Sequence, residues 1–185
     1  MMKNKVTATA CSIYQSAAGF GIVAANDSGL VAHHLPFGAH SAAEALELAA
    51  TLHPQAVAES SLTREAVAVL ARYFAGERVT FELPLQLEGF TRFQKSVYSV
   101  VAAIPYGTVL SYLQVALHCG CPGGARAIGG AMARNPLPIM IPCHRVVATS
   151  GVMTGFTAPG GVASKRELLS MEGVELDRTG RFFWG

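Results

Sequence analysis

Ser111-Tyr112-Leu113-Gln114-Val115-Ala116-Leu117-His118-Cys119-Gly120-Cys121-Pro122-Gly123-Gly124-Ala125-Arg126-Ala127-Ile128-Gly129-Gly130-Ala131-Met132-Ala133-Arg134 reads as two short helices around a tight turn. Ser111 with Gln114 three residues on has the capping-box pattern, so the first helix should run to about His118. Gly120 lies past its end. Pro122 and Gly123 open a second helix, expected over about 124–134. Two short helices joined by a glycine-containing turn are a helix-turn-helix candidate, the second being the recognition helix.

That second helix is nearly bare. Gly124, Ala125, Ala127, Gly129, Gly130, Ala131 and Ala133 leave few side chains on it. Each glycine costs about 1 kcal/mol relative to alanine in a helix interior. Accepting several implies a smooth face for close approach, either by a neighbouring helix or by a DNA groove. Arg126 is the only charge before Arg134. Taken alone it reads equally well as a solvated surface arginine.

Outward from this pair, Thr91-Arg92-Phe93-Gln94 predicts another capped helix over about 93–103, stopped before Pro105. A last helix begins near Ser164. Residues 6–35 mix Val, Ile, Thr, Tyr and Phe with the Asn26-Asp27-Ser28-Gly29 turn and read as short antiparallel strands. Ser41-Ala42-Ala43-Glu44 is a capping box for a helix over about 42–52. A further helix starts after Ser61, with Leu62, Ala66, Val69, Leu70 and Tyr73 as its apolar face and Gly76 at its end. Residues 81–89 contain Pro84 and read as a strand or linker. The expected domains are therefore 1–89, α/β, and 90–185, mainly α.

The chain has 185 residues, 51% hydrophobic and 14% charged, which excludes a disordered chain. No run of 18 apolar residues occurs, because Val97 to Leu110 is cut by Ser99, Pro105 and Gly107. No membrane association is expected. Lys3 and Lys5 precede too many polar residues to form an export signal. Four cysteines are too few for a disulfide scaffold, and reduced thiols in the cytoplasm are the simpler expectation. Residues 1–89 carry five Lys/Arg against eight Asp/Glu, net −3; residues 90–185 carry nine against four, net +5. The basic half is the candidate for contact with a polyanion.

The sharpest chemical signal is Ile141-Pro142-Cys143-His144-Arg145-Val146. A thiolate is the reactive form of cysteine, and a base or cation beside it favours that form. Adjacent residues of an extended strand point to opposite faces, so His144 reaches Cys143 only if the backbone turns, and Pro142 would help fix a turn. A buried inert cysteine fits the same residues. Cys119 and Cys121 beside His118 lack the second ligand pair of a zinc site, so no metal is expected.

Ile141-Pro142-Cys143-His144-Arg145-Val146-Val147 resembles the active-site signature of the O6-alkylguanine-DNA alkyltransferases, the methylated-DNA–protein-cysteine methyltransferases. The resemblance runs from about Phe93 to Gly173. It takes in Pro105-Tyr106-Gly107, Ser111-Tyr112, the stretch from Ala125 to Met132, Asn135-Pro136, and Gly155-Phe156 to Glu172-Gly173. It implies a ribonuclease-H-like N-terminal domain and a winged-helix-like C-terminal one. It implies direct, irreversible transfer of an alkyl group from O6 of guanine, and from O4 of thymine, to Cys143, without cofactor and once per molecule. The partner would be double-stranded alkylated DNA, bound through the minor groove by a monomer with no obligate protein partner.

The resemblance also implies roles. His144 would be a water-mediated base and Glu172 the carboxylate that orients it, following the logic of nucleophile, base and orienter. Arg126 would fill the stack left by a flipped guanine. Ala125 and Gly129 would lie against the groove. Tyr112 would donate a proton at N3 of the leaving base. Asn135 would tie the recognition helix to the active-site turn, and Arg145 would give structural support. Phe156 and Thr157 would line the pocket, Phe156 as an apolar wall where some members have tyrosine. Two other readings stay open: a damage-binding regulator in which transfer is lost, and a Cys-His hydrolase. Some members bind zinc in the first domain, but Cys11, His33 and His34 do not match that ligand set.

Overall fold

A computed structural model describes residues 6–184, which divide into two compact units between residues 90 and 91. The first unit is built on a three-stranded antiparallel sheet of β1 (Ala10–Ser16), β2 (Gly19–Asn26) and β3 (Gly29–His34). Ala10, Ser12 and Tyr14 point inward in alternation, as the two-residue period of a strand requires. Tyr14 lies opposite Gly21, and a Cβ there would stand 2.3 Å from the tyrosine ring, so only glycine fits. Asn26 Oδ1 accepts from the Ser28 amide and closes the expected turn between β2 and β3.

Two helices follow, α1 (Ala42–Leu52) and α2 (Ser61–Phe74). At α1 the Ser41 hydroxyl accepts from the Glu44 amide as predicted, but the Glu44 carboxylate reaches past Ser41 to the His40 amide. At α2 the inward face holds Thr63, Ala66, Leu70 and Tyr73, while Leu62 and Val69 are only half-buried. Thr63 takes the inner place because it closes a capping box with Ser60 and accepts from the buried Ser12 hydroxyl. Residues 81–89 form no full strand. They touch the sheet at one point, where Leu30 exchanges backbone bonds with Pro84 and Gln86.

The second unit holds α3 (Arg92–Ala102), α4 (Tyr112–His118), α5 (Ala125–Met132) and α6 (Val162–Met171). The boxes Thr91–Gln94 and Ser111–Gln114 both close as read from the sequence. Helix α5 is shorter than predicted, 125–132 instead of 124–134. Val97, Tyr98 and Val101 of α3, Val115 and Ala116 of α4, and Ile128, Ala131 and Met132 of α5 are buried. The Tyr98 hydroxyl donates to the Ala131 carbonyl. A two-residue parallel pair joins β4 (Leu110–Ser111) to β5 (Val146–Val147). Val109, Val147, Met153, Leu169 and Val174 form the core that fixes α6 beneath them.

Candidate active site

Pro142 sits at φ −76°, ψ 67°, and the Cys143 amide donates to the Ile141 carbonyl at 2.7 Å. That is an inverse γ-turn, the bend that proline's fixed φ makes easy. Residues Cys143–Arg145 then form a single 3₁₀ turn leading into β5. The backbone does turn at Cys143, as the pairing with His144 demanded. Asn135 braces the bend: its Nδ2 donates to the Ile141 carbonyl at 2.7 Å, and its Oδ1 accepts from the Leu137 amide.

All three residues of the turn are buried. His144 Nε2 lies 2.8 Å from Glu172 Oε1. Arg145 grips the same carboxylate with two bonds, Nε to Oε2 at 2.9 Å and Nη2 to Oε1 at 2.8 Å, and donates from Nη1 to the Ile104 carbonyl. The Gly107 amide donates to Oε2. Burial alone would raise the Glu172 carboxyl, but the bonds from His144 and Arg145 outweigh it and hold the group well below the usual carboxylate range. An ionised Glu172 accepts the proton of His144 Nε2, which makes Nδ1 the basic nitrogen. Burial keeps His144 neutral, pulling its pKa down against the Glu172 charge. Burial pushes the Cys143 thiol up; Asn135 and the charge of Lys165 act against that.

Cys143 opens on a cavity of about 380 Å³. It is lined by Tyr112, by Ala125, Arg126, Gly129 and Met132 of α5, by Ala133, and by residues 154–157. The volume is within the range of small-molecule sites. Phe156 and Thr157 are thus cavity-lining residues, and Tyr112 is tied to that loop through its hydroxyl, which donates to the Thr154 carbonyl. Burial raises the Tyr112 phenol. Arg126 is exposed.

The glycines of α5 can now be weighed. A Cβ on Gly129 would come no closer than 4.0 Å to Tyr112, and one on Gly130 no closer than 3.8 Å to Arg134. Both are ordinary contacts, so packing within the chain does not require either glycine.

The sequence reading missed one member of this cluster. Lys165 on α6 is fully buried, its Nζ donates to the Val146 carbonyl at 2.5 Å, and it stands 5.9 Å over the Tyr112 ring. The signal was present: Leu168 and Leu169, three and four residues on, put Lys165 on the buried helix face. Arg145, expected as structural support, makes two bonds to Glu172 and with His144 lowers its carboxyl. In the first unit the candidates for zinc have separate partners. His33 is bonded to Tyr14 at 2.7 Å and His34 to His53 at 2.9 Å, and Cys11 is half-buried on β1. Among the described residues, no three His, Cys, Asp or Glu side chains are grouped to hold a metal.

The family models match both units. The ribonuclease-like domain of 6-O-methylguanine DNA methyltransferase matches residues 10–87, and the DNA-binding domain of the same enzyme matches residues 92–174. The chain belongs to the 6-O-methylguanine DNA methyltransferase family. A methylated-DNA–protein-cysteine methyltransferase of Mycobacterium tuberculosis is 47% identical over 107 residues, 58% of this chain and 63% of the relative. The match thus spans less than two thirds of that relative. The constitutive methylated-DNA–protein-cysteine methyltransferase of Bacillus subtilis is 44% identical over 110 residues, 60% of this chain and 66% of the relative. The crystal structure of the M. tuberculosis O6-methylguanine methyltransferase superposes with a TM-score of 0.73 at 32% identity, covering 91% of this chain and 95% of that one. M. tuberculosis OGT in complex with DNA gives a TM-score of 0.72 at 34% identity, covering 88% and 92%.

Proposed function

We propose that this family member repairs alkylated DNA by moving the alkyl group from O6 of guanine, or O4 of thymine, to Cys143. The observation that carries this reading is a buried cysteine on a bend, followed by the His144–Glu172 pair and lining a cavity together with the glycine-rich helix α5. Helix α5 lies in the minor groove, where an absence of side chains allows close approach and little sequence reading. The spare room at Gly129 and Gly130 supports a partner outside the chain. Arg126 enters the stack as the guanine swings into the cavity, offsetting part of the few kcal/mol of unstacking.

The thiol proton passes through a water to His144 Nδ1, and Glu172 balances the imidazolium. Sulfur attacks the alkyl carbon; the S–C bond forms as the C–O6 bond breaks. The electron pair moves into the purine, and N3 takes a proton from the Tyr112 hydroxyl, which recovers it from solvent. Guanine leaves neutral, and the thioether is not reversed, so each molecule acts once. No step calls on a cofactor. Phe156 walls the cavity while the Thr157 amide faces O6. The protein acts in the cytoplasm as a monomer; no helix among the described residues is long and apolar enough to cross a membrane.

Intact mass after incubation with excess O6-methylguanine duplex tests this. One added methyl per molecule is expected, and none in Cys143→Ser. Unchanged mass with retained DNA binding replaces transfer by damage binding; many product molecules per protein indicate a hydrolase.

A further inference from the structure

We propose that the hairpin after α6, residues 176–182, is a clamp that sets the cavity wall, with Asp177 and Phe182 as positioning residues for the base that reacts with Cys143. The proposal deepens the reading of this cavity as the seat of an alkylated base, and rests on it. Residues 154–157 line the cavity without belonging to a helix or strand, so their place is set by what holds the chain around them. Just before them, residues 148–151 make a tight turn. The Gly151 amide donates to the Ala148 carbonyl at 2.8 Å, and the Ala148 amide to the Val152 carbonyl at 3.1 Å. The Phe182 amide then donates to the Gly151 carbonyl at 2.9 Å. Gly151 has φ 75°, and a Cβ there would collide with the Phe182 carbonyl oxygen, so the turn admits only glycine where the hairpin backbone lies against it.

The side chains repeat the connection. Phe182 and Leu176 pack on the core that contains Met153, the residue before Thr154. Tyr112 adds its own hold at the Thr154 carbonyl. The hairpin is closed by Asp177, whose Oδ1 accepts from the Thr179 amide at 2.8 Å, the Thr179 hydroxyl at 2.7 Å and the Arg181 amide at 2.8 Å. One carboxylate oxygen with three local donors organises the bend. Arg166 of α6 ties the tip down by donating to the Thr179 carbonyl. The chain of contacts therefore runs from Asp177 through Phe182 to Gly151 and Met153, and so to the wall. A reacting base must be held close to its productive geometry, and a wall of irregular backbone does this only when it is braced.

The test is single-turnover methyl transfer from an O6-methylguanine duplex at rising duplex concentration. Asp177→Ala should lower the limiting rate about tenfold and leave the half-saturating concentration within about twofold, because α5 and not the wall seats the duplex. Asp177→Asn keeps the accepting oxygen and should restore the rate. A protein merely destabilised would fall short of one methyl per molecule while its limiting rate stayed at the wild-type value. Phe182→Pro removes the donor to Gly151 outright and should slow transfer at least as far as Asp177→Ala. Wild-type limiting rates in both variants overturn the proposal. Hydrogen exchange without substrate separates the clamp from the chemistry: in Phe182→Pro the amides of Ala148 and Gly151 should quicken while those of α3 do not. If the wild type transfers no methyl group, the acceptor reading fails and this exchange alone decides the clamp. Turn amides that keep their wild-type exchange in Phe182→Pro overturn it.

Discussion

Both units bury ionisable side chains, and they do so in opposite ways. In the first unit, Tyr14 is bonded to His33 and His34 to His53, and burial favours the protonated phenol of Tyr14 and the unprotonated imidazole of His34. In the second, Arg145, Glu172 and Lys165 are buried as ions beside a cysteine that opens on a cavity. Neutral buried pairs satisfy hydrogen bonds and rigidify a core. Buried ions cost more than they return unless fully paired, so their presence beside a cavity marks chemistry.

The contrast is broken most severely at Glu172. Glu172→Gln leaves Arg145 buried against a neutral amide, and should cost about 3–5 kcal/mol in urea unfolding. Tyr14→Phe in the first unit should cost about 1 kcal/mol. Equal losses would erase the distinction between the two clusters. The sign with pH follows from the depressed Glu172 carboxyl: its contribution is complete above the unfolded value of 4.5 and is lost as pH falls below it. Glu172→Gln should flatten that acid limb.

Next comes the exposed charge of α5. Arg126→Ala should slow repair of duplex at least about tenfold, or about 1.4 kcal/mol, while reaction with free O6-benzylguanine is unchanged. Equal losses on both substrates would remove Arg126 from the duplex. A smaller effect is expected at Gly130→Ala. The methyl has room, so α5 should gain up to about 1 kcal/mol, measured as a higher urea midpoint. Duplex affinity should fall at the same time; if it does not, close approach to DNA is not what the glycine serves.

The first unit carries a pH test of its own. Burial, aided by His53, lowers His34 to about 4, so the contribution of its unprotonated imidazole is complete above the unfolded value of 6.5. That contribution should fade as pH drops from 6.5 toward 4. Urea midpoints of His34→Gln should lack this slope. A wild-type slope in the variant would place the titration elsewhere.

Much of this was legible before any coordinates. Thr91 and Gln94, Ser111 and Gln114, and the Asn26–Gly29 turn are local devices, and local chemistry is written in neighbouring residues. The Cys143 signature pointed to the cysteine proposed as acceptor, and the resemblance alone supplied Glu172, 28 residues from its histidine. Lys165 was passed over because a lone lysine on a helix usually faces water, and only the core under α6 turns it inward. The Glu44 side chain went to His40 because an exposed carboxylate chooses among nearby amides by small differences.

Helix α5 has a further consequence, for the dynamics of the unit. It is eight residues long, has no side-chain cap at Gly124, and contains two glycines in its interior. So short a segment has no helical stability of its own; Ile128, Ala131 and Met132 hold it by docking. Its amides should therefore exchange with solvent hydrogen sooner than those of α3, through local opening that leaves the rest of the unit folded. A duplex that seats α5 would close that opening. Part of its binding free energy then goes into completing the helix, and amide protection becomes a direct record of occupancy.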